Sequence, residues 1–209
     1  MAEVASRAQR RAFWLKQLHQ WHWISAALCL VGMLAFALTG ITLNHASQIK
    51  SKPLISKHGG ELPAPLLAEL TAPGAKDASE LPADVQQWFA KEWSLHGADG
   101  APEWSDDEVY LSMPRPGGDA WLSIDLESGE ATYERTDRGW ISYLNDLHKG
   151  RNTGTMWSWF IDVFAVACLI FSITGLFLLQ LHAKRRPSTW PLTGLGLLIP
   201  LLLALLFIH

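Results

Sequence analysis

The chain has 209 residues, 49% hydrophobic and 18% charged, with 11 Trp, 8 His, 2 Cys and a formal net charge of −3. That balance excludes a disordered chain and a disulfide-stapled mini-domain. A single soluble core is excluded by the segregation of charge: none lies in 24–43 or 190–208, only Asp162 lies in 157–181, and residues 45–156 hold 28 of the 37 charges.

A helix rises about 1.5 Å per residue, so about 20 apolar residues cross a hydrocarbon core about 30 Å thick. Three runs reach that length, and a helix in lipid satisfies its own backbone. The sequence therefore predicts an α-helical membrane protein: three transmembrane helices with a small α+β exported insert between the first two. The divisions are a basic N-terminus (1–20), a first span (21–45), the insert (46–147), a second span with its flanks (148–182), a short loop (183–189) and a third span (190–208). Arg7, Arg10, Arg11 and Lys16 precede the first span, and Lys184, Arg185 and Arg186 sit between the second and third. Positive flanks stay inside, so the insert and the C-terminus lie outside. Arg10–Lys16 resembles a twin-arginine signal, but the apolar run after it is too long and lacks a cleavage site. Trp14, Trp21, Trp23 and Trp190 form the inner aromatic belt, and Trp157 and Trp159 the outer one. Cys29 and Cys168 read as unpaired cysteines at different depths.

Within the insert, 47–76 is rich in Pro, Lys, Ala and Gly and reads mostly as linker. Val85, Trp88, Phe89 and Trp93 fall at helical spacing, with Pro82 before and Gly97 after, predicting a short amphipathic helix over 82–95. Val109–Met113 and Ala120–Leu126 alternate as strands, Glu127–Ser128–Gly129 reads as a turn, and Glu130–Thr136 as a further strand. Asp106–Asp107–Glu108 reads as a solvated turn. No nucleophile–base pattern, phosphate loop or zinc spacing occurs here.

His58 and His96 read as surface residues and His209 as idle. The other five histidines, His19, His22, His45, His148 and His182, lie at the ends of the first two spans. A repeat underlies them. The first span reads Leu18–His19, Phe36-Ala-Leu-Thr39-Gly40-Ile41, then His45; the second reads Leu147–His148, Phe171-Ser-Ile-Thr174-Gly175-Leu176, then His182. Because the spans run in opposite directions, His45 and His148 fall at one membrane level, and His19 or His22 beside His182 at the other. Two imidazoles on opposite faces of a haem, supplied by facing helices, give a low-spin iron. Gly40 and Gly175 let a backbone approach a flat macrocycle. Thr39 and Thr174 either return their hydroxyls to the helix or offer them to a propionate or partner helix. The separation of His22 from His45 is about 35 Å if helical, which suits two haems and not one. Two helices enclose a haem poorly, so the third span or a second copy of the chain completes the wall. Asp162, the one charge inside a span, reads as a proton relay with a catalytic part, a partner for a histidine N–H, a cation site, or a hydrated interfacial residue.

Leu18-His19-Gln-Trp21 with Leu38-Thr39-Gly40, and Leu147-His148-Lys-Gly150-Arg151 with Gly154, Trp157, Asp162 and Thr174-Gly175-Leu176, resemble the PepSY-associated transmembrane family. These blocks cover about a third of the chain, and the helix and strands of the insert, with Asp125-Leu-Glu-Ser-Gly129-Glu, resemble a PepSY half-domain. The resemblance implies a bacterial inner-membrane protein with a periplasmic insert and C-terminus. It also implies a b-type haem protein that reduces ferric iron or a ferric siderophore for iron uptake. The chain departs from larger members in having three spans instead of four or more. It has no G-x-G-x-x-G after a strand, hence no flavin or nicotinamide site, and electrons come from quinol or a separate cytoplasmic donor. The expected partners are the bilayer, that donor, the ferric acceptor and a second copy of the chain, with no nucleic acid. The competing expectation is a non-redox accessory protein that binds a partner through the insert. A metal-ion permease subunit is a weaker alternative, since three spans are few for a pathway.

Overall fold

The computed structural model describes residues 2–49, 52–95 and 100–208, so the readings of His96, Gly97 and His209 fall outside it. Six α-helices and five strands are described: α1 Ala2–Asn44, β1 Leu54–Glu61, α2 Ala64–Leu70, α3 Ala83–Trp93, β2 Glu103–Trp104, β3 Glu108–Ser112, β4 Gly118–Asp125, β5 Glu130–Asp137, α4 Trp140–Lys149, α5 Gly154–His182 and α6 Thr189–Phe207. Three helical stretches are long and apolar enough to cross a membrane: Arg7–Asn44, Gly154–Arg185 and Thr189–Phe207. The chain forms two compact units, Met1–Ala35 with Trp159–His209, and Phe36–Ser158.

In the first unit, α1 and α5 meet through small residues. Ser25 is 3% exposed and Cys29 is fully buried. A Cβ at Gly32 would overlap the Phe164 ring. Without water to drive association, helices in lipid approach where side chains are small, and the stripe Ser25, Cys29, Gly32 supplies that surface. Cys29 and Cys168 are neighbours, and both are free thiols. This corrects the expectation of different depths. Depth counted from helix ends fails because α1 runs a long way past the apolar segment at its N-terminus.

In the second unit, an antiparallel sheet in the order β1-β5-β4-β3-β2 carries the core. Alternate residues Ala120, Leu122 and Ile124 of β4 are buried, as are Val109 and Leu111 of β3 and Ala131 and Tyr133 of β5. Val85 and Phe89 of α3, with Leu70 of α2, cover that face. Full burial of each large side chain contributes about 1.5–3 kcal/mol, which is what holds so small a sheet. The expected helix and three strands all form. The turn between β4 and β5 is closed by Asp125, whose Oδ1 accepts from Glu127 N (3.0 Å), Ser128 N (2.7 Å) and Ser128 Oγ (2.7 Å). The bonds from the Ser128 backbone and then its hydroxyl hold the Asp125 carboxyl below its usual pKa. Burial, and then the carboxylates of Asp119, Glu103 and Glu108, push the Tyr110 hydroxyl above its usual value.

Two elements depart from the sequence reading. The stretch taken as linker contains β1 and α2. Strand β1 pairs with β5 from Leu54↔Asp137 to Glu61↔Glu130, placing Lys57 opposite Glu134. It is an edge strand with almost every residue exposed, so it has no apolar alternation, and Gly59–Gly60 imitates a turn. The second departure is α4. His148 does not open the second span; it lies in the last turn of this separate helix. Gly150, at φ +67, ends α4 in a Schellman motif, with Gly150 N donating to Leu147 O (3.1 Å) and Arg151 N to Asp146 O (2.9 Å). Asn152 (φ +56) and Gly154 (φ +77) turn the chain into α5. Trp157 Nε1 donates to Leu147 O (2.9 Å), so this tryptophan clasps the turn.

Helix α4 is tied to the sheet by Asp146, which is 5% exposed and whose Oδ2 accepts from Gly117 N at 2.9 Å. Asp146→Ala leaves that buried amide without its partner, which costs about 1–3 kcal/mol. Thermal unfolding of the detergent-solubilised protein should fall accordingly, and an unchanged midpoint would show the bond to be dispensable.

Candidate functional site

The repeated Phe-x-x-Thr-Gly segments face histidines across the fold, in both units. In the first unit, His22 of α1 lies against α5. Its Nδ1 is 2.9 Å from Thr174 Oγ1. Its ring stacks on Phe171, with centroids 4.8 Å apart and planes 16° from parallel. A Cβ on Gly175 would lie 3.4 Å from its Cε1. In the second unit, His148 of α4 lies against the end of α1. Its Nδ1 is 2.7 Å from Thr39 Oγ1, its ring is 5.0 Å from Phe36 at 42°, and a Cβ on Gly40 would lie 3.6 Å from its Cε1. Thr42 donates to Asn145 Oδ1 at 2.7 Å and fixes α4 beside that seat.

The repeat is therefore an exchange. Each Phe-x-x-Thr-Gly segment seats a histidine carried by another helix, and the residue equivalent to His148 is His22. The sequence alignment had set Leu18–His19 against Leu147–His148, because both begin with Leu-His. The signal for His22 was its place nearer the apolar run, facing Thr174 once the helices are antiparallel.

The remaining three histidines are exposed and bond to their own helices. His19 Nδ1 donates to Leu15 O (2.8 Å), His45 Nδ1 to Ile41 O (3.0 Å) and His182 Nδ1 to Leu178 O (2.8 Å). A carbonyl only accepts, so in the neutral ring of each the proton sits on Nδ1 and Nε2 keeps its lone pair. That is the form in which imidazole binds a metal, with its other nitrogen oriented by a hydrogen bond.

His22 and His182 line one cavity of about 740 Å³ in the first unit. Phe171, Gly175, Leu179, Arg185 and Arg186 also line it. Its size is within the range of cofactor sites, about 300–1,000 Å³. The lining is mostly apolar, and it includes two histidines and two arginines. A flat, apolar macrocycle with an axial demand for nitrogen and two carboxylate tails fits that donor set. In the sequence alone, Arg185 and Arg186 read only as orientation signals. Asp162 is exposed on α5. No cluster of three or more His, Cys, Asp or Glu able to hold a metal ion occurs among the described residues. A haem iron draws only two axial ligands from the protein and needs no such cluster.

Neither a curated protein nor a solved structure matches the chain. The family model described as PepSY_TM-like matches residues 13–209, which takes in the spans, the sheet and both histidine seats. The chain accordingly belongs to the PepSY_TM-like family.

Proposed function

We propose that the chain is a membrane-embedded b-type haem protein that carries electrons across the bilayer to an outer acceptor, ferric iron or a ferric siderophore. One observation carries this reading: His22 and His182 share a cavity with Arg185 and Arg186. His19, His45 and His182 also present Nε2 as the free nitrogen when neutral. One haem is assigned to the inner cavity, between His22 and His182. A second is assigned to the outer end, with His148 and His45 as its ligands. A bound haem supplies one-electron redox chemistry, and the surrounding residues set its potential by ligation and by excluding water. The basic residues flanking the spans orient the inner cavity to the cytoplasmic side, where quinol or a soluble donor delivers electrons. Asp162 is assigned to proton or cation traffic at the outer edge. The inner membrane of a bacterium is the expected location.

The test is direct. Protein purified in detergent should be red, with a Soret band and an alpha band that sharpens on dithionite reduction. A pyridine haemochrome assay should give haem b. A protein that stays colourless after haem loading overturns the reading.

The accessory-protein reading is favoured by a different observation, the exposed outer edge of β1, a row of backbone groups open to strand addition. A stoichiometric partner in a pull-down, with function retained after all five histidines are replaced, would select it.

A further inference from the structure

We propose that Thr39 and Thr174 are positioning residues: each hydroxyl fixes the proton of the facing imidazole on Nδ1 and so presents Nε2 of His148 and His22 as the ligating nitrogen.

The argument turns on where one hydroxyl proton goes. Thr174 Oγ1 lies 2.6 Å from Ile170 O and 3.0 Å from Phe171 O, both carbonyls of the preceding turn. Two oxygens at 2.6 Å need a proton between them, and only the hydroxyl has one, so Thr174 donates to its own helix. Its remaining capacity is a lone pair. The contact with His22 Nδ1 is then an N–H donated by the ring. The arrangement recurs in the other unit, where Thr39 Oγ1 lies 3.1 Å from Phe36 O and 2.7 Å from His148 Nδ1; with its proton given to Phe36 O, the hydroxyl has a lone pair left for the ring N–H.

Packing alone does not call for this arrangement. Each threonine hydroxyl already has a carbonyl acceptor on its own helix, so it needs no histidine to be satisfied. The imidazole does need the threonine: an Nδ1–H turned into an apolar site without an acceptor is costly. Valine would fill the same space without the lone pair. The arrangement also occurs twice, once for a histidine on α1 and once for a histidine on α4. It separates His22 from His19, whose ring is held only by a carbonyl of its own turn. The stacked Phe171 and the tilted Phe36 fix the ring plane, and the threonine fixes which nitrogen looks outward.

The proposal rests on the haem reading for what Nε2 binds, but the tautomer itself is readable without haem. The experiment uses the full chain, labelled with ¹⁵N-histidine, purified in detergent and first studied without haem. Wild type should show His22 and His148 protonated on Nδ1 and bare on Nε2. In Thr174→Val, the His22 tautomer ratio should fall about fivefold, the worth of one neutral hydrogen bond, while His148 is unchanged. Thr39→Val should do the converse, and Thr174→Ser and Thr39→Ser should restore wild-type ratios. Unchanged ratios in the folded valine variants overturn the proposal. So do serine variants that behave like valine, because shape and not the lone pair would then be the cause. After haem loading, Thr174→Val should shift the midpoint potential of one haem, with Ser restoring it. A protein that takes up no haem yet shows the threonine-dependent tautomers supports the positioning role and overturns the haem reading. Haem spectra and potentials indifferent to valine, with the tautomers also unmoved, overturn the positioning role alone.

Discussion

His22→Ala should lower the haem bound per chain to about half, and His19→Ala should leave it unchanged, by pyridine haemochrome. His22 lies between Phe171, Thr174 and Gly175 and lines the cavity that His182 also reaches. His19 is exposed and bonded to Leu15 O. The two histidines are one helical turn apart on one helix and share an interfacial setting, so a difference between them reports the seat and not the neighbourhood. His148→Ala should likewise remove about half the haem, from the second site. Equal losses from His19→Ala and His22→Ala would break the pairing of His22 with Thr174 as a ligand seat.

Gly117→Ala should destabilise the second unit by about 3 kcal/mol or more. Gly117 has φ +71, a conformation L residues adopt with strain. A Cβ there would stand 2.7 Å from Tyr143 Cα and 2.8 Å from Tyr143 N, so helix α4 itself would have to move. Gly74→Ala is the matched control. Gly74 has φ +89 and ψ −5, with open space around the position, so only the conformational cost of the left-handed region applies, about 1 kcal/mol. Thermal melts of the two variants should separate clearly. The larger loss should carry the His148 site with it, because Asp146, bonded to Gly117 N, lies on the same helix as His148. Equal melts would show that α4 yields without cost.

The three spans, α3 and strands β3 to β5 were legible because each has a period or a length that backbone geometry imposes. Strand β1 was not, because an edge strand with both faces wet has no apolar alternation and is specified by its partner β5. Helix α4 was hidden for another reason: Leu147-His148-Lys-Gly150-Arg151 looks like the opening of a span, whereas Gly150 is the αL terminator of the helix before it. At the site, the residue types were readable, and so was the repeat of Phe-x-x-Thr-Gly. The pairing was not. Matching one Leu-His to another aligns letters, but the contacts of His22 with Thr174 and of His148 with Thr39 depend on antiparallel register. Cys29 and Cys168 show the same limit, since depth counted from helix ends missed their contact.

The exchange of histidines has a consequence for how the protein is made. A chain emerges from its N-terminus, and α1 is complete long before α4 or α5 exists. At that stage Thr39 and Gly40 already form a finished seat, while His22 lacks its Thr174 partner. His148 therefore arrives at a prepared site, and His22 stays unset until residue 174 has been synthesised and inserted. Neither histidine is set by the helix that carries it, so a truncated chain retaining α1 alone leaves His22 without its Thr174 partner. Synthesis thus imposes an order on the two sites, and the one that holds His22 closes last.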